Sequence, residues 1–141
     1  MKVADILKAK GSNIFSILPD SSVYDALKIM GQKNIGALMV IEDDELMGIF
    51  SERDYARKVV LVNRTSRDTL IGEIMTANVI TVAPADSIEH CMELMSIKKI
   101  RHLPVTQDGK VTGLISISDV VTAIIQSQKE TISHLENYIH Q

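Results

Sequence analysis

The sequence predicts an α/β (α+β) protein built from two copies of one strand–helix–strand–strand–helix unit. Three observations predict it. Residues 14–57 repeat at 79–122 without a gap and with a constant offset of 65. Ser22, Met30, Lys33, Ile35 and Leu38 thereby fall on Ser87, Met95, Lys98, Ile100 and Leu103. Each copy carries one apolar pattern of helical period and then two short apolar runs. Each closes on Gly-apolar-apolar-Ser-x-x-Asp, from Gly48 to Asp54 and from Gly113 to Asp119. Two copies are too few for a solenoid, which needs about three or more. They are expected to pack through their sheets as a pseudo-two-fold module with two equivalent clefts.

Residues 3–8 and 71–75 read as short lead-in helices that match at an offset of 68. Short strands are expected at 14–18 and 79–82. In the first copy Pro19 breaks the chain, and Ser21 or Ser22 can cap a helix whose apolar positions are Val23, Ala26, Leu27 and Met30. In the second copy Pro84 and Ser87 precede Ile88, Cys91, Met92 and Met95 at the same spacing. Two hairpins follow, pairing 37–41 with 46–50 and 103–105 with 111–115. Asp108-Gly109 between apolar runs is a tight-turn signal, and Asp43, Asp44 and Glu45 read as a solvated turn. The strands are apolar throughout, so both sheet faces should be covered. A second helix begins at Ser51 and at Ser116. The tail from Asp119 onward reads as one long helix with Ile125, Ile132, Leu135 and Ile139 close to heptad spacing. That stripe suits either its own module or another subunit. The expected organisation is a first repeat at 1–62, a polar linker at 63–70, a second repeat at 71–125 and a helical extension at 126–141.

Composition narrows the function. A chain of 141 residues with 45% hydrophobic and 23% charged residues is one globular domain's worth. A net charge of −3 with no run of five like charges argues against nucleic acid as the main partner. No apolar run reaches 18 residues, so no membrane span or signal peptide is expected. The single cysteine, Cys91, cannot form an internal disulfide, which fits a reducing cytoplasm. It lies on an apolar helix face and reads as core. The four histidines show no metal-ligand spacing, so no metal is expected.

The repeated motif has its own chemistry. Gly48 would let another group approach the strand end. Ser51 stands at a helix N-cap, where free N–H groups and the helix dipole favour phosphate. Asp54 has an acceptor-only carboxylate suited to a ribose diol. Ser-x-x-Asp is equally close to a plain capping box. Arg53, Arg57 and Lys58 follow Ser51, whereas Ile117 and Ser118 follow Ser116, so the first helix start is expected to be the more basic. Arg57 and Lys58 also suit a solvated face. Arg101 and His102 open a strand where the first copy has Gly36 and Ala37. A guanidinium there could hold phosphate bidentately, and the small residues leave room for a flat ring.

The paired Gly-x-x-Ser-x-x-Asp motifs resemble the cystathionine-β-synthase (CBS) domain. Arg101-His102-Leu103-Pro104-Val105 and Thr81-Val82-Ala83-Pro84 fit the same family. The resemblance covers roughly residues 3–125 and implies a stand-alone tandem CBS pair, or Bateman module. It implies binding of an adenosyl ligand such as AMP, ADP, ATP, NAD or S-adenosylmethionine, with no catalytic cofactor. It places Ser16, Gly36, Ala37, Ile80, Thr81 and Pro104 along the clefts. Ser51, Arg53, Arg57, Arg101, His102 and Ser116 would meet ligand charge, and Asp54 and Asp119 would meet ribose. It further implies a homodimer that senses nucleotides and signals to an unknown protein target.

Three functions compete. The leading one is a regulatory nucleotide sensor that is not an enzyme. A ligand-free dimerisation scaffold is the alternative. A nucleotide hydrolase comes third, because the chain has neither a Gly-rich phosphate loop with Lys nor a carboxylate cluster for magnesium.

Overall fold

The computed structural model describes residues 1–11 and 13–140. The chain runs α1 (Val3–Lys10), β1 (Ser16–Ile17), α2 (Val23–Lys33), β2 (Ala37–Glu42), β3 (Glu45–Ser51), α3 (Glu52–Lys58) and a 3-10 turn (Val60–Val62). It continues with α4 (Ile71–Ile74), α5 (Ile88–Lys98), β4 (His102–Gln107), β5 (Lys110–Ser116) and α6 (Ile117–Ile139). The first repeat has the expected strand–helix–hairpin–helix order, and the second has helix–hairpin–helix without a leading strand. None of the helices is long and apolar enough to cross a membrane, among the described residues.

Local signals place the elements. Ser22 and Ser87 cap α2 and α5, accepting from the backbone N–H of Asp25 and His90. A hydroxyl there satisfies one of the four donors that a helix start leaves unpaired. Both helices stop on a left-handed residue, Asn34 with φ 54° and Lys99 with φ 55°. The hairpin turns use two positive-φ residues each, Asp43-Asp44 and Asp108-Gly109. That geometry matches the twist of the flanking strands.

The chain forms two compact units, and each interleaves the repeats. One unit comprises 13–80 with 108–111. Its sheet has the order β1-β2-β3, with β1 parallel to β2 and β2 antiparallel to β3. Its core gathers Ile17, Val23, Met30, Leu38, Val40, Phe50 and Val59 around Ile71 and Ile74 of α4. β2 buries four residues running, Ala37 to Val40, as its unbroken apolar run requires. The other unit comprises the N-terminal segment with 81–107 and 112–140. Here β4 and β5 form a two-stranded sheet. The expected strand at 79–82 shrinks to a single parallel bridge, Val82 to Val105. Val82 donates to Pro104 O at 3.0 Å and accepts from Thr106 N–H at 2.9 Å, and regular pairing goes no further. Val3, Ile6, Ile88, Cys91, Met95, Leu103, Val105 and Ile115 are buried in this unit. Burial pushes the Cys91 thiol up to about 11, consistent with its reading as core.

The lead-in helices therefore dock on the body of the other repeat. Val3 N–H donates to Asp86 O, and Ala4 N–H to Pro84 O, both at 2.9 Å. Thr76 of the second lead-in bridges Ile49 of β3. The glycines of the repeated motif serve this docking. A Cβ on Gly48 would lie 2.8 Å from Thr76 O and 2.7 Å from Met75 Sδ. A Cβ on Gly113 would lie 2.6 Å from a Leu7 methyl. The group that approaches each strand end is thus the protein's own lead-in segment. Nor is the polar segment before α4 a free linker. Ser66 O and Thr69 O accept from Tyr24 and Val23 N–H at the start of α2, and Thr69 is buried.

Candidate functional site

The two Ser-x-x-Asp motifs fold into equivalent capping boxes at strand-to-helix junctions. At the first, Asp54 N–H donates to Ser51 Oγ at 3.2 Å, and Ser51 N–H returns to Asp54 Oδ2 at 2.9 Å. At the second, Asp119 N–H donates to Ser116 Oγ at 3.2 Å, and Ser116 N–H to Asp119 Oδ2 at 2.8 Å. The preceding strand closes each junction. Glu52 N–H donates to Gly36 O at 3.1 Å, and Ile117 N–H to Arg101 O at 2.8 Å. The capping reading of these residues is therefore realised in both copies. The geometry still leaves a half-buried carboxylate at each helix start.

Each carboxylate also holds a lysine, and the two lysines have different origins. Lys58 lies one turn after Asp54 on α3. Its ammonium reaches Asp54 Oδ1 at 3.1 Å, Ile74 O at 3.0 Å and Thr76 Oγ1 at 3.5 Å. Lys10 closes α1 and reaches Asp119 Oδ2 at 2.7 Å and Leu114 O at 2.9 Å. Sequence reasoning missed Lys10, which lies 109 residues from Asp119. No local pattern marks it, since only the docking of α1 brings it there. It gives the Ser116 helix start a basic residue that the sequence after Ser116 does not supply.

In the unit of 13–80, Ala37 of β2 pairs with Ser51 of β3, so Gly36, Ala37, Ser51 and Asp54 share one end of the sheet. Ala37 is fully buried and offers a ligand only its backbone. Ser16 is exposed on β1, Arg53 and Arg57 are exposed on α3, and Ile80 is half-buried. In the other unit Arg101, His102, Ser116 and Asp119 converge with Lys10. Thr81 is exposed beside the Val82 bridge, and Pro104 is buried within β4, its carbonyl bonded to Val82.

Electrostatics reinforces that convergence. Burial is the main reason that His102 titrates below its ordinary 6.5, and the positive charges of Lys10 and Arg101 depress it further against the pull of Asp119. Burial alone would raise Asp119. The Lys10 ammonium and the Ser116 backbone N–H outweigh it and hold the carboxyl below its ordinary 3.8. Near neutral pH His102 is therefore uncharged, and Asp119 is an anion beside the Lys10 ammonium.

Comparison with known proteins agrees with this geometry. The CBS-domain family model matches residues 3–61 and 71–126. The mitochondrial CBS domain-containing protein CBSX3 of Arabidopsis thaliana is 40% identical over 146 residues, covering 97% of this chain and 71% of its own. A solved protein with CBS domains from Burkholderia ambifaria superposes with a TM-score of 0.87 at 50% identity, over 91% of this chain and 96% of that one. The CBS domain pair of protein MJ0100, solved with 5-methylthioadenosine and S-adenosyl-L-methionine, gives a TM-score of 0.78 at 28% identity. That match covers 90% of this chain and 98% of the other. With matched segments spanning both repeats, this chain belongs to the CBS-domain family and carries the domain twice.

Proposed function

We propose that this chain is a regulatory module, not an enzyme, that binds adenosyl nucleotides (AMP, ADP, ATP or NAD(H)) at its two Ser-x-x-Asp helix starts and signals by conformational change. The observation that carries the reading is the duplicated half-buried carboxylate, Asp54 and Asp119, set at a helix start. The MJ0100 pair, bound to two adenosyl compounds, supports the ligand class. In this reading the carboxylates take the ribose diol. Ser51, Arg53 and Arg57 meet ligand charge at one site, and Ser116, Arg101 and His102 meet it at the other. Backbone at Ser16, Gly36, Ala37, Ile80, Thr81 and Pro104 borders the base. Signalling requires two arrangements that bind the ligand differently. Calorimetry with AMP, ATP, NAD and S-adenosylmethionine tests it. Asp54→Ala and Asp119→Ala should each weaken binding about ten- to hundredfold, the worth of one charge-assisted hydrogen bond. Unchanged affinity in both variants would reduce the aspartates to capping residues.

A second reading rests on α6. Ile132, Leu135 and Ile139 are 55%, 58% and 74% exposed, an apolar stripe that its own unit leaves uncovered. A second copy of the chain would cover it, giving a homodimer or, with no ligand bound, a dimerisation scaffold. Light scattering should give twice the monomer mass, and Leu135→Glu should halve it. A monomeric parent protein overturns the homodimer.

A further inference from the structure

We propose that Lys10 is the specificity residue of the Asp119 site: its ammonium leaves the carboxylate for the ligand's own anion when a ribose diol takes Asp119, so that the site selects anionic adenosyl compounds over uncharged adenosine. This rests on the reading of Asp119 as a ribose acceptor.

The argument begins with charge. Lys10 brings an ammonium to the Ser116 junction, paired with one carboxylate, Asp119, and Arg101 adds its charge beside His102. The start of the 23-residue α6 adds its own partial positive charge to that balance. The cluster therefore holds more positive than negative charge, and an incoming anion restores the balance. Geometry supplies the exchange. Lys10 has two acceptors, Asp119 Oδ2 and Leu114 O, and both its bonds come from a flexible four-carbon stem at the end of α1. When a diol takes the carboxylate, Leu114 O still anchors the ammonium while it turns toward phosphate. The carboxylate oxygen it uses also accepts from Ser116 N–H, so Asp119 stays oriented without Lys10. Lys58 cannot act in the same way. It is tied to Asp54, Ile74 O and Thr76 Oγ1 together, and its first partner sits on its own helix. Lys58 fastens the α4 segment to α3, whereas Lys10 has a single side-chain partner, which a ligand can replace.

The test is calorimetry on the full chain carrying Asp54→Ala, so that one site is read, with adenosine, AMP and ATP as titrants. With Lys10 present, AMP and ATP should bind more tightly than adenosine. Lys10→Met keeps the stem and removes the charge. It should weaken AMP and ATP about tenfold, the loss of one charge-assisted contact, while adenosine binds as well or better. Lys10→Arg should retain the preference for the phosphorylated compounds. A merely structural lysine would shift all three ligands by one common factor, and that result overturns the inference while leaving the adenosyl site standing. If none of the three compounds binds with Lys10 or with Met at the position, the adenosyl reading itself fails and the inference falls with it.

Discussion

The two units solve one problem with opposite parts. Each must fasten a lead-in segment to a strand–helix junction built around an aspartate. In the unit of 13–80 the lysine belongs to the aspartate's own helix and reaches out to the lead-in, from Lys58 to Ile74 O. In the other unit the lysine belongs to the lead-in and reaches in to the aspartate, from Lys10 to Asp119. The glycines differ as well. Gly48 faces backbone, Thr76 O, while Gly113 faces the tip of a side chain, Leu7. The difference teaches that a duplicated motif keeps its backbone hydrogen bonds while its side-chain ties change hands. Main chain holds both lead-ins, but at the motif glycine the first unit meets a carbonyl and the second a side-chain tip.

The largest expected effect breaks the clamped unit at its centre. Phe50 is fully buried, and Ile115 holds the same place in the other unit. Phe50→Ala should cost about 3–5 kcal/mol in urea denaturation, through lost burial and the cavity left behind. A loss under about 1 kcal/mol would show that the core collapses around the gap. Next comes the glycine pair. Gly48→Ala should cost about 1–3 kcal/mol, because a carbonyl cannot rotate away from the new methyl. Gly113→Ala should cost less, since Leu7 can change rotamer. Equal losses would mean that Leu7 is as rigid as the backbone at Thr76.

Smaller effects sharpen the comparison through pH. The folded pKa of His102 lies below its unfolded value, so the unfolded chain takes up the proton first as pH falls. Stability should therefore decline below about 6.5 and level off beneath the folded value. Ala37 occupies the equivalent place in the first unit and cannot titrate. Amide exchange, corrected for its intrinsic rate, should thus speed up at Ile117 relative to Glu52 between pH 7.5 and 5.5, and His102→Ala should remove the difference. Asp119 acts at lower pH. Its folded pKa is depressed, so the Lys10 pair stabilises above about 3.8 and is lost as pH falls through the folded value. Lys10→Met should cost at most about 1 kcal/mol at neutral pH, as expected for a partly exposed ion pair, and should flatten that acid limb. An acid limb as steep in Lys10→Met as in the parent would remove the pair from the account.

Much of this was legible in the sequence because it is local. Ser22, Ser51, Ser87 and Ser116 announce helix starts within four residues of themselves, and Asp108-Gly109 announces its turn. The repeat aligns the two hairpins and the two aspartates. What was not legible depends on segments far apart in the chain. Val79 to Val82 has strand character, yet only Val82 finds a partner. Gly48 signalled a close approach correctly, but only the tertiary structure names Thr76 as the approaching group. Lys10 sits in an unremarkable Lys-Ala-Lys run, and its meaning exists only once α1 lies beside α6. Arg101 and His102 were marked as site residues, and of the charges that act on His102 only that of Lys10 comes from that docking.

The interleaving of the units also sets a timetable. The helix α1 precedes its partners Pro84 and Asp86 by some 80 positions in the chain. The unit of 13–80 has its apolar cluster between Phe15 and Met75, so it can close without the later segments. The unit that carries Lys10 joins α1 to segments beyond residue 80, so it closes a long loop to form. Its Lys10–Asp119 latch spans that loop and, being partly exposed, should be among the first contacts to open. On the proposed reading, one pair of side chains both spans that loop and reads the ligand, which couples closure of this unit to recognition.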